Sequence, residues 1–228
     1  FSRVWRSYNG GVSFSAVSPS NLTGGANIDV LTVAPNHTNV LYISEGNSFW
    51  ISEDRGSTWA NYSSRIPGNT TITGIAVSHL NPKHVAISRS GYGTSQKVYT
   101  STDGGFSWTN LSGNLPNIPA NCLTYVEDNS GGLYVGTDAG VFYRDKNMTD
   151  WVAFNVGLPN VIVNDLEINY VNLKIRAGTY GRGVWESDLF GFAHEPIAAI
   201  SVAPTTCLSD TVLLKDVSSY KPTAWQWH

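Results

Sequence analysis

The sequence predicts an all-β protein built from repeated small sheets, and an internal repeat is the main reason. The octet at 52–59, Ser-Glu-Asp-Arg-Gly-Ser-Thr-Trp, recurs 49 residues later at 101–108 as Ser-Thr-Asp-Gly-Gly-Phe-Ser-Trp. A weaker copy begins at Ser7, 45 residues before the first octet, and a degenerate copy begins at Arg144, 43 residues after the second. A period of this length is typical of repeat folds in which each unit is one small sheet.

The composition favours the same fold class. Only 14% of the residues are charged, whereas 12% are aromatic and 22 residues are glycine. No stretch keeps an apolar period of 3.6 residues, so we expect essentially no helix. A chain of 228 residues is long enough to bury a sizeable core.

Each position of the octet has a role in a hairpin turn. The aspartate side chain can accept hydrogen bonds from backbone N–H groups of the turn. Glycine supplies a backbone geometry that other residues resist, and the tryptophan begins the outgoing strand with a large face to bury. We therefore expect a structural role for the residues that fill these positions in the four copies: Ser7, Asn9, Gly11, Phe14, Ser52, Asp54, Gly56, Thr58, Trp59, Ser101, Asp103, Gly105, Ser107, Trp108 and Trp151.

The octet resembles the Asp-box, or BNR repeat, of sialidases, sortilin-type (Vps10) propellers and xyloglucanase-like glycosidases. The segments 157–160, 165–168 and 177–187 also look like the sortilin-like propellers of large secreted Bacteroidetes proteins. This resemblance covers residues 1–190 and implies a β-propeller of four-stranded blades. It also implies a secreted, cell-surface protein that is exported by the type IX secretion system.

Analogy between the repeats predicts seventeen strands, which make about four and a half blades. We expect the chain to be the C-terminal part of a larger propeller, with a five-bladed ring closed by this chain alone as the alternative. Because the sequence shows neither a signal peptide nor an initiating methionine, we expect an internal piece of a longer precursor. The predicted strands are 2–6 and 14–17; 29–34, 40–44, 48–52 and 58–62; 73–77, 85–88, 97–101 and 107–111; 122–127, 132–135, 140–144 and 151–154; and 163–168, 173–177 and 183–188.

The sequence after Phe190 no longer follows the pattern of the repeats. Residues 191–196 are predicted to be a linker, and residues 197–228 resemble the opening of a PKD domain, which is an immunoglobulin-like β-sandwich. The strands expected there are 197–203, 211–215 and 225–227. A complete domain of this kind needs about seven strands, so we expect a truncated one.

Several kinds of partner and cofactor are disfavoured. A net charge of −3 without a run of Lys or Arg argues against nucleic acid and against an anionic membrane surface. No segment approaches the roughly 20 apolar residues of a membrane-spanning helix. No Cys/His spacing suits zinc, and we expect no metal and no cofactor. Cys122 is interpreted as a buried core residue, with a disulfide to Cys207 left open. His79 and His84, on either side of an Asn-Pro turn, are interpreted as surface residues and not as catalytic ones.

The resemblance implies where a ligand would bind. In such propellers the Asp-box turns lie on one rim, and ligands bind the opposite face, which the loops between the second and third strands and the connections between blades build. The polar and aromatic candidates for lining a shallow sugar or peptide site on that face are Glu45, Arg89, Tyr92, Asp138, Tyr180 and Arg182. The alternative is that Asp138 and Arg182 cap turns or pair with neighbouring groups.

Two classes of function remain open. The first is a non-catalytic scaffold that binds glycan or protein, as in an adhesin or gliding-associated protein. Its partners would be the remaining blades and domains of the precursor, a glycan or surface protein, and the type IX translocon or its shuttle proteins.

The second class is part of a xyloglucanase- or sialidase-like glycosidase. Glycoside hydrolysis needs two carboxylates about 5 to 9.5 Å apart, and Glu45 and Asp138 are two blades apart with no supporting pattern. A sialidase would need an arginine triad and a tyrosine nucleophile. Arg89, Arg176 and Arg182 with Tyr180 are conceivable, but the N-terminal arginine motif is missing. We assign no catalytic residue.

Overall fold

The computed structural model describes residues 2–92, 95–191, 200–202 and 214–216. The chain forms two compact units, Phe1–Ser187 and Asp188–His228. The first unit is an array of consecutive antiparallel sheets, and every strand predicted for it is present. The one helical element among the described residues is a 3₁₀ turn at Ser63–Arg65, so the all-β fold class is confirmed.

The sheets follow one another along the chain, and we number those after the first hairpin as blades 1 to 4. The hairpin pairs β1 (Trp5–Arg6) with β2 (Ser15–Ala16). Blade 1 contains β3 (Val30–Val33), β4 (Leu41–Glu45), β5 (Ser48–Ser52) and β6 (Ala60–Asn61), and blade 2 contains β7 (Ile72–Val77), β8 (Val85–Arg89), β9 (Val98–Ser101) and β10 (Thr109–Asn110). Blade 3 contains β11 (Ala120–Tyr125), β12 (Leu133–Thr137), β13 (Gly140–Arg144) and β14 (Val152–Ala153), and blade 4 contains β15 (Val163–Asn169), β16 (Lys174–Thr179) and β17 (Gly183–Asp188).

The first strands of the blades lie side by side, with β3 next to β7, β7 next to β11, and β11 next to β15. The second strands of blades 1 to 3 lie between two neighbouring sheets. All residues of β8 and of β12 are buried, which suits the apolar runs at 85–87 and 133–135. The fourth strands are only two residues long, shorter than predicted, because pairing ends where each outer strand becomes exposed.

Apolar side chains fill the interfaces between blades. Between blades 1 and 2, Tyr42 and Phe49 pack with Ile75 and Ile87, and Trp108 meets Phe49 edge-on with ring centroids 5.5 Å apart. The interface between blades 2 and 3 contains a second cluster that includes Trp151. Burial of this apolar surface, at about 25 cal/mol per Å², is what holds consecutive blades together.

Three Asp-box turns share one pattern of hydrogen bonds. The serine hydroxyl accepts the N–H of the box glycine at 2.8 Å in each turn, as Ser52 does from Gly56. The acidic position then accepts the N–H four residues on, as Asp54 does from Thr58 at 2.8 Å. Asn9 reproduces this pattern in the first box, where its carbonyl accepts the N–H of Ser13 at 2.9 Å and its amide donates to the Ser13 hydroxyl.

The first and the last box differ from the other two in the environment of their aromatic residue. Phe14 of the first box is 60% exposed, whereas Trp108 packs edge-on against Phe49 of the preceding blade. In the last copy, the Trp151 indole donates to Leu111 O of blade 2 at 2.7 Å, whereas the Trp59 indole donates to Gly56 O within its own turn. The Lys146 ammonium donates to Asn129 O and thereby ties its turn to the neighbouring loop.

Replacing Asp103 by alanine is expected to destabilise the first unit by about 1 kcal/mol, as loss of a comparable side-chain cap does. Asp103→Asn should cost much less, because Asn9 already fills this position in the first box. Burial alone would raise the pKa of Asp103, but hydrogen bonds from Ser107 and Ser101 outweigh it and lower the pKa from 3.8 to about 2. The charged form therefore stabilises the fold above about pH 4, and this contribution is lost as the pH falls towards 2.

Urea unfolding of the two variants at pH 7 and at pH 3 checks this prediction. Asp103→Asn should show a weaker dependence on pH than the wild type, by a small amount because the carboxylate is exposed and screened by solvent. Equal stabilities of Asp103→Ala and Asp103→Asn would contradict it.

In the second unit, β18 (Ile200–Val202) pairs antiparallel with β19 (Leu214–Asp216), with Ile200 opposite Asp216. These strands fall within or overlap the predicted strands 197–203 and 211–215. The third predicted strand, 225–227, and Cys207 lie outside the described residues. The PKD-like domain therefore stays a prediction.

Candidate ligand-binding face

The six candidate residues occur on blades 1, 2, 3 and 4, in the turns between second and third strands or at the strand ends beside them. In an antiparallel sheet these turns lie at the end opposite the turns between third and fourth strands, where the Asp-boxes are. We call this end the loop face. Its candidates are Glu45 at the end of β4, Arg89 at the end of β8, Tyr92 after β8, Asp138 between β12 and β13, and Tyr180 and Arg182 between β16 and β17.

Tyr92 and Asp138 come together across two blades. The Tyr92 hydroxyl donates to Asp138 Oδ2 at 2.8 Å, and Asn121 Nδ2 donates to Asp138 Oδ1 at 3.0 Å. The hydrogen bond to Asp138 and the nearby negative charge raise the pKa of Tyr92. Asp138 therefore pairs with neighbours, as the alternative interpretation proposed, while the Tyr92 ring stays 70% exposed.

Arg89 is buried, which corrects the prediction that it lies in an exposed loop. Strand β8 continues one residue beyond the predicted 85–88, and this carries Arg89 into the interior, where its exposure is 0%. Its guanidinium donates to Asn47 Oδ1 at 2.6 Å and to Pro67 O at 2.7 Å. Burial lowers the pKa of Arg89. The side chain organises the loops and is not available to a ligand.

Blade 4 presents a tight turn on the loop face. The Tyr180 N–H donates to Ile162 O at 2.9 Å, and the Thr179 hydroxyl donates to Gly183 O at 2.6 Å. The Arg182 carbonyl accepts the Trp185 indole N–H at 3.0 Å. This turn holds its backbone firmly and leaves the Tyr180 ring 72% exposed.

The candidate carboxylates are not brought together as a hydrolytic pair. Glu45 belongs to blade 1 and Asp138 to blade 3, and the whole of blade 2 lies between them. Both Asp138 oxygens already accept hydrogen bonds. What the loop face offers is exposed tyrosine rings beside hydrogen-bonding groups, which suits a ligand with both apolar faces and hydroxyl groups.

A second polar feature lies around the first strands. Strands β3, β7, β11 and β15 line a cavity of about 600 Å³. His79 and Tyr170 contribute to its lining, with ring centroids 5.3 Å apart, and His79 Nδ1 lies 3.3 Å from Glu127 Oε1. Burial is the main cause that raises the pKa of Tyr170 to about 12.

His79 is thus part of a contact between blades 2, 3 and 4, with a side chain only 20% exposed. The residue interpreted as lying at the surface is therefore half-buried between blades. The sequence carries no local signal for this contact, because Glu127 and Tyr170 follow His79 by 48 and 91 residues.

Within the ranges described, no three His, Cys, Asp or Glu side chains gather into a group that could hold a metal ion. Across the same residues, no helix is long and apolar enough to span a membrane. Cys122 is a buried free thiol, and burial is the main cause that raises its pKa to about 12. Its interpretation as a core residue is confirmed by this burial.

The sheets and the turn geometry together define an Asp-box propeller array. The family described as sortilin, neurotensin receptor 3 (Sortilin-Vps10) matches residues 2–120, slightly more than half of the chain. The chain therefore belongs to the Sortilin-Vps10 family.

The chain is also similar to xyloglucanases. A xyloglucanase of a Paenibacillus species is 29% identical over 152 residues, covering 57% of this chain and 14% of that protein. The GH74 xyloglucanase from Xanthomonas campestris superposes with a TM-score of 0.64 at 18% identity, over 81% of this chain and 32% of its own. The GH74 enzyme of Niastella koreensis superposes with a TM-score of 0.54 at 16% identity, over 70% of this chain and 28% of its own. The chain spans about a third or less of the length of these relatives, and the two structures establish the propeller fold alone.

Proposed function

We propose that this chain forms part of the polysaccharide-binding face of a xyloglucanase-like propeller. The observation that carries the proposal is the contact between Tyr92 and Asp138, which holds an exposed aromatic ring across blades 2 and 3 on the loop face. The similarity to a xyloglucanase over 152 residues supports a neutral β-glucan as the ligand class.

The chemistry of the face fits such a ligand. Sugar rings have apolar C–H faces that stack on aromatic rings, and their hydroxyls exchange hydrogen bonds with carboxylates, amides and backbone groups. Tyr92 and Tyr180 supply exposed rings, while Asp138 and Asn121 supply polar groups beside Tyr92. A neutral polymer needs no cationic site, which agrees with the burial of Arg89.

We place binding, and not bond cleavage, in these blades. Glycoside hydrolysis needs two carboxylates that flank one bond, and blade 2 separates Glu45 from Asp138. Turnover of xyloglucan by this chain that is lost in Glu45→Ala or Asp138→Ala would favour the hydrolase interpretation instead. A cell-surface location, and the export route that the family resemblance implies, belong to the same proposal, since such polymers are met outside the cell.

Tyr92→Ala is expected to weaken xyloglucan binding about tenfold, because loss of an aromatic anchor commonly costs more than 1 kcal/mol and 1.4 kcal/mol corresponds to a factor of ten. The measurement is isothermal titration of the intact chain with xyloglucan oligosaccharides. Tyr8→Ala is the matched control, because Tyr8 is also 72% exposed but lies in an Asp-box turn at the other end of the sheets. The proposal fails if the wild-type chain does not bind or if the two variants behave alike.

A further inference from the structure

We infer that two buried cations, Arg89 and Lys97, are positioning residues that fix Tyr92 for ligand binding, an inference that rests on the proposed function. Arg89 is the last residue of β8, and Lys97 directly precedes β9. The backbone N–H of Arg89 donates to the backbone carbonyl of Lys97 at 2.9 Å. Their exposures are 0% and 1%. No described carboxylate forms an ion pair with either cation. Burying cations without such partners is unfavourable, so their contacts point to a specific role.

Arg89 ties the turn of blade 1 to the connection that leads into blade 2. Besides Asn47 and Pro67, its guanidinium donates to the hydroxyl of Thr70 at 3.2 Å and to the carbonyl of the same residue. Asn47 also joins the same two segments directly, because its side-chain amide donates to Gly68 O at 3.0 Å. The position of Thr70 is therefore set by a buried charge-assisted network, which is stronger than neutral hydrogen bonds.

Thr70 in turn supports the residue before Tyr92. Gly91 has a φ of +103°, and a Cβ at that position would lie 3.1 Å from Thr70 Cγ2. The Lys97 ammonium donates to Gly91 O at 2.5 Å. Gly91 is thus held by Lys97 on one side and fits closely against Thr70 on the other. Only glycine adopts this backbone geometry without strain.

Tyr92 is consequently held at both ends. Its backbone follows Gly91, which Lys97 and Thr70 fix in blade 2, and its hydroxyl is bound by Asp138 of blade 3. A ring that is ordered before the ligand arrives loses less conformational freedom on binding. The network should therefore contribute to affinity only through Tyr92.

The test is a double-mutant cycle on xyloglucan affinity with Lys97→Met in the wild-type and Tyr92→Ala backgrounds. Lys97→Met is expected to weaken binding about three- to tenfold in the wild type and to have no effect on affinity in Tyr92→Ala. Lys83→Met is the matched control, because Lys83 is an exposed lysine paired with Glu53. This variant should bind xyloglucan with the same affinity as the wild type. Gly91→Ala, which leaves both cations in place, should reproduce the loss caused by Lys97→Met.

The outcomes separate this inference from the proposed function. If Tyr92→Ala leaves the affinity unchanged, the proposed function fails. If Tyr92→Ala weakens binding but Lys97→Met and Gly91→Ala do not, only the positioning role is overturned. An equal effect of Lys97→Met in both backgrounds, together with a lower melting temperature, would mean that the lysine is merely structural.

Discussion

Trp151→Ala is expected to lower the free energy of unfolding by about 3–5 kcal/mol, the usual cost of truncating a buried tryptophan. Trp151 is 3% exposed and packs in the apolar cluster between blades 2 and 3. Its indole donates to Leu111 O at 2.7 Å, and its backbone N–H donates to Asn114 Oδ1 at 2.7 Å. The variant therefore loses packing and one part-buried hydrogen bond, and Leu111 O keeps only the longer contact from Arg144 Nη1, at 3.5 Å.

Thermal unfolding measures this loss. For a unit of this size, a change of 1 kcal/mol shifts the melting temperature by about 2–4 °C, so a fall of about 6–20 °C is expected. Trp5→Ala is the control, because Trp5 is half exposed and should cost much less. A fall no larger than that of Trp5→Ala would show that Trp151 does not join the two blades.

Gly136→Ala is expected to destabilise the interface between blades 3 and 4 by about 1–3 kcal/mol, the usual cost of overpacking a core. A Cβ at Gly136 would lie 2.5 Å from Cys122 Sγ and 2.7 Å from Val163 Cγ1. Both neighbours are buried and have little room to move. Urea unfolding should show partial recovery in Gly136→Ala/Cys122→Ala, where the sulfur atom has been removed.

Blade 4 offers a matched control for this substitution. Gly178 occupies the equivalent position of β16, and a Cβ there would lie at ordinary contact distances, 3.4 Å from Asp165 Cβ and 3.9 Å from Asp165 O. Gly178→Ala should therefore leave stability nearly unchanged. Similar losses in the two variants would contradict the steric explanation.

Much of the fold could be predicted because its signals are local and repeated. The octet at 52–59 and its copy at 101–108 fix where third strands end and fourth strands begin, and each predicted strand from 2–6 to 183–188 overlaps an observed strand. The ends of the strands are harder to predict from the sequence, because they depend on which neighbouring segment covers them. For this reason the observed strand β8 ends at Arg89, one residue beyond its predicted end.

The location of the candidate site could be predicted from the sequence, but its side-chain contacts could not. The alternation of antiparallel strands puts Tyr92 and Asp138 on the same face. Their hydrogen bond joins residues 46 positions apart, and no local pattern indicates it. The burial of Arg89 could not be foreseen either, because its acceptors are a side-chain oxygen of blade 1 and groups of the connection into blade 2.

Hydroxyl-radical footprinting of the intact chain with and without xyloglucan oligosaccharide tests the central claim most directly. Tyr8, Tyr92 and Tyr180 are exposed to nearly the same extent, 72%, 70% and 72%, so the free protein should be modified similarly at all three. If the loop face binds the polysaccharide, the ligand will protect Tyr92 and Tyr180 and leave Tyr8 unchanged. Protection of Tyr8 alone, or equal rates at all three tyrosines with and without ligand, would contradict it.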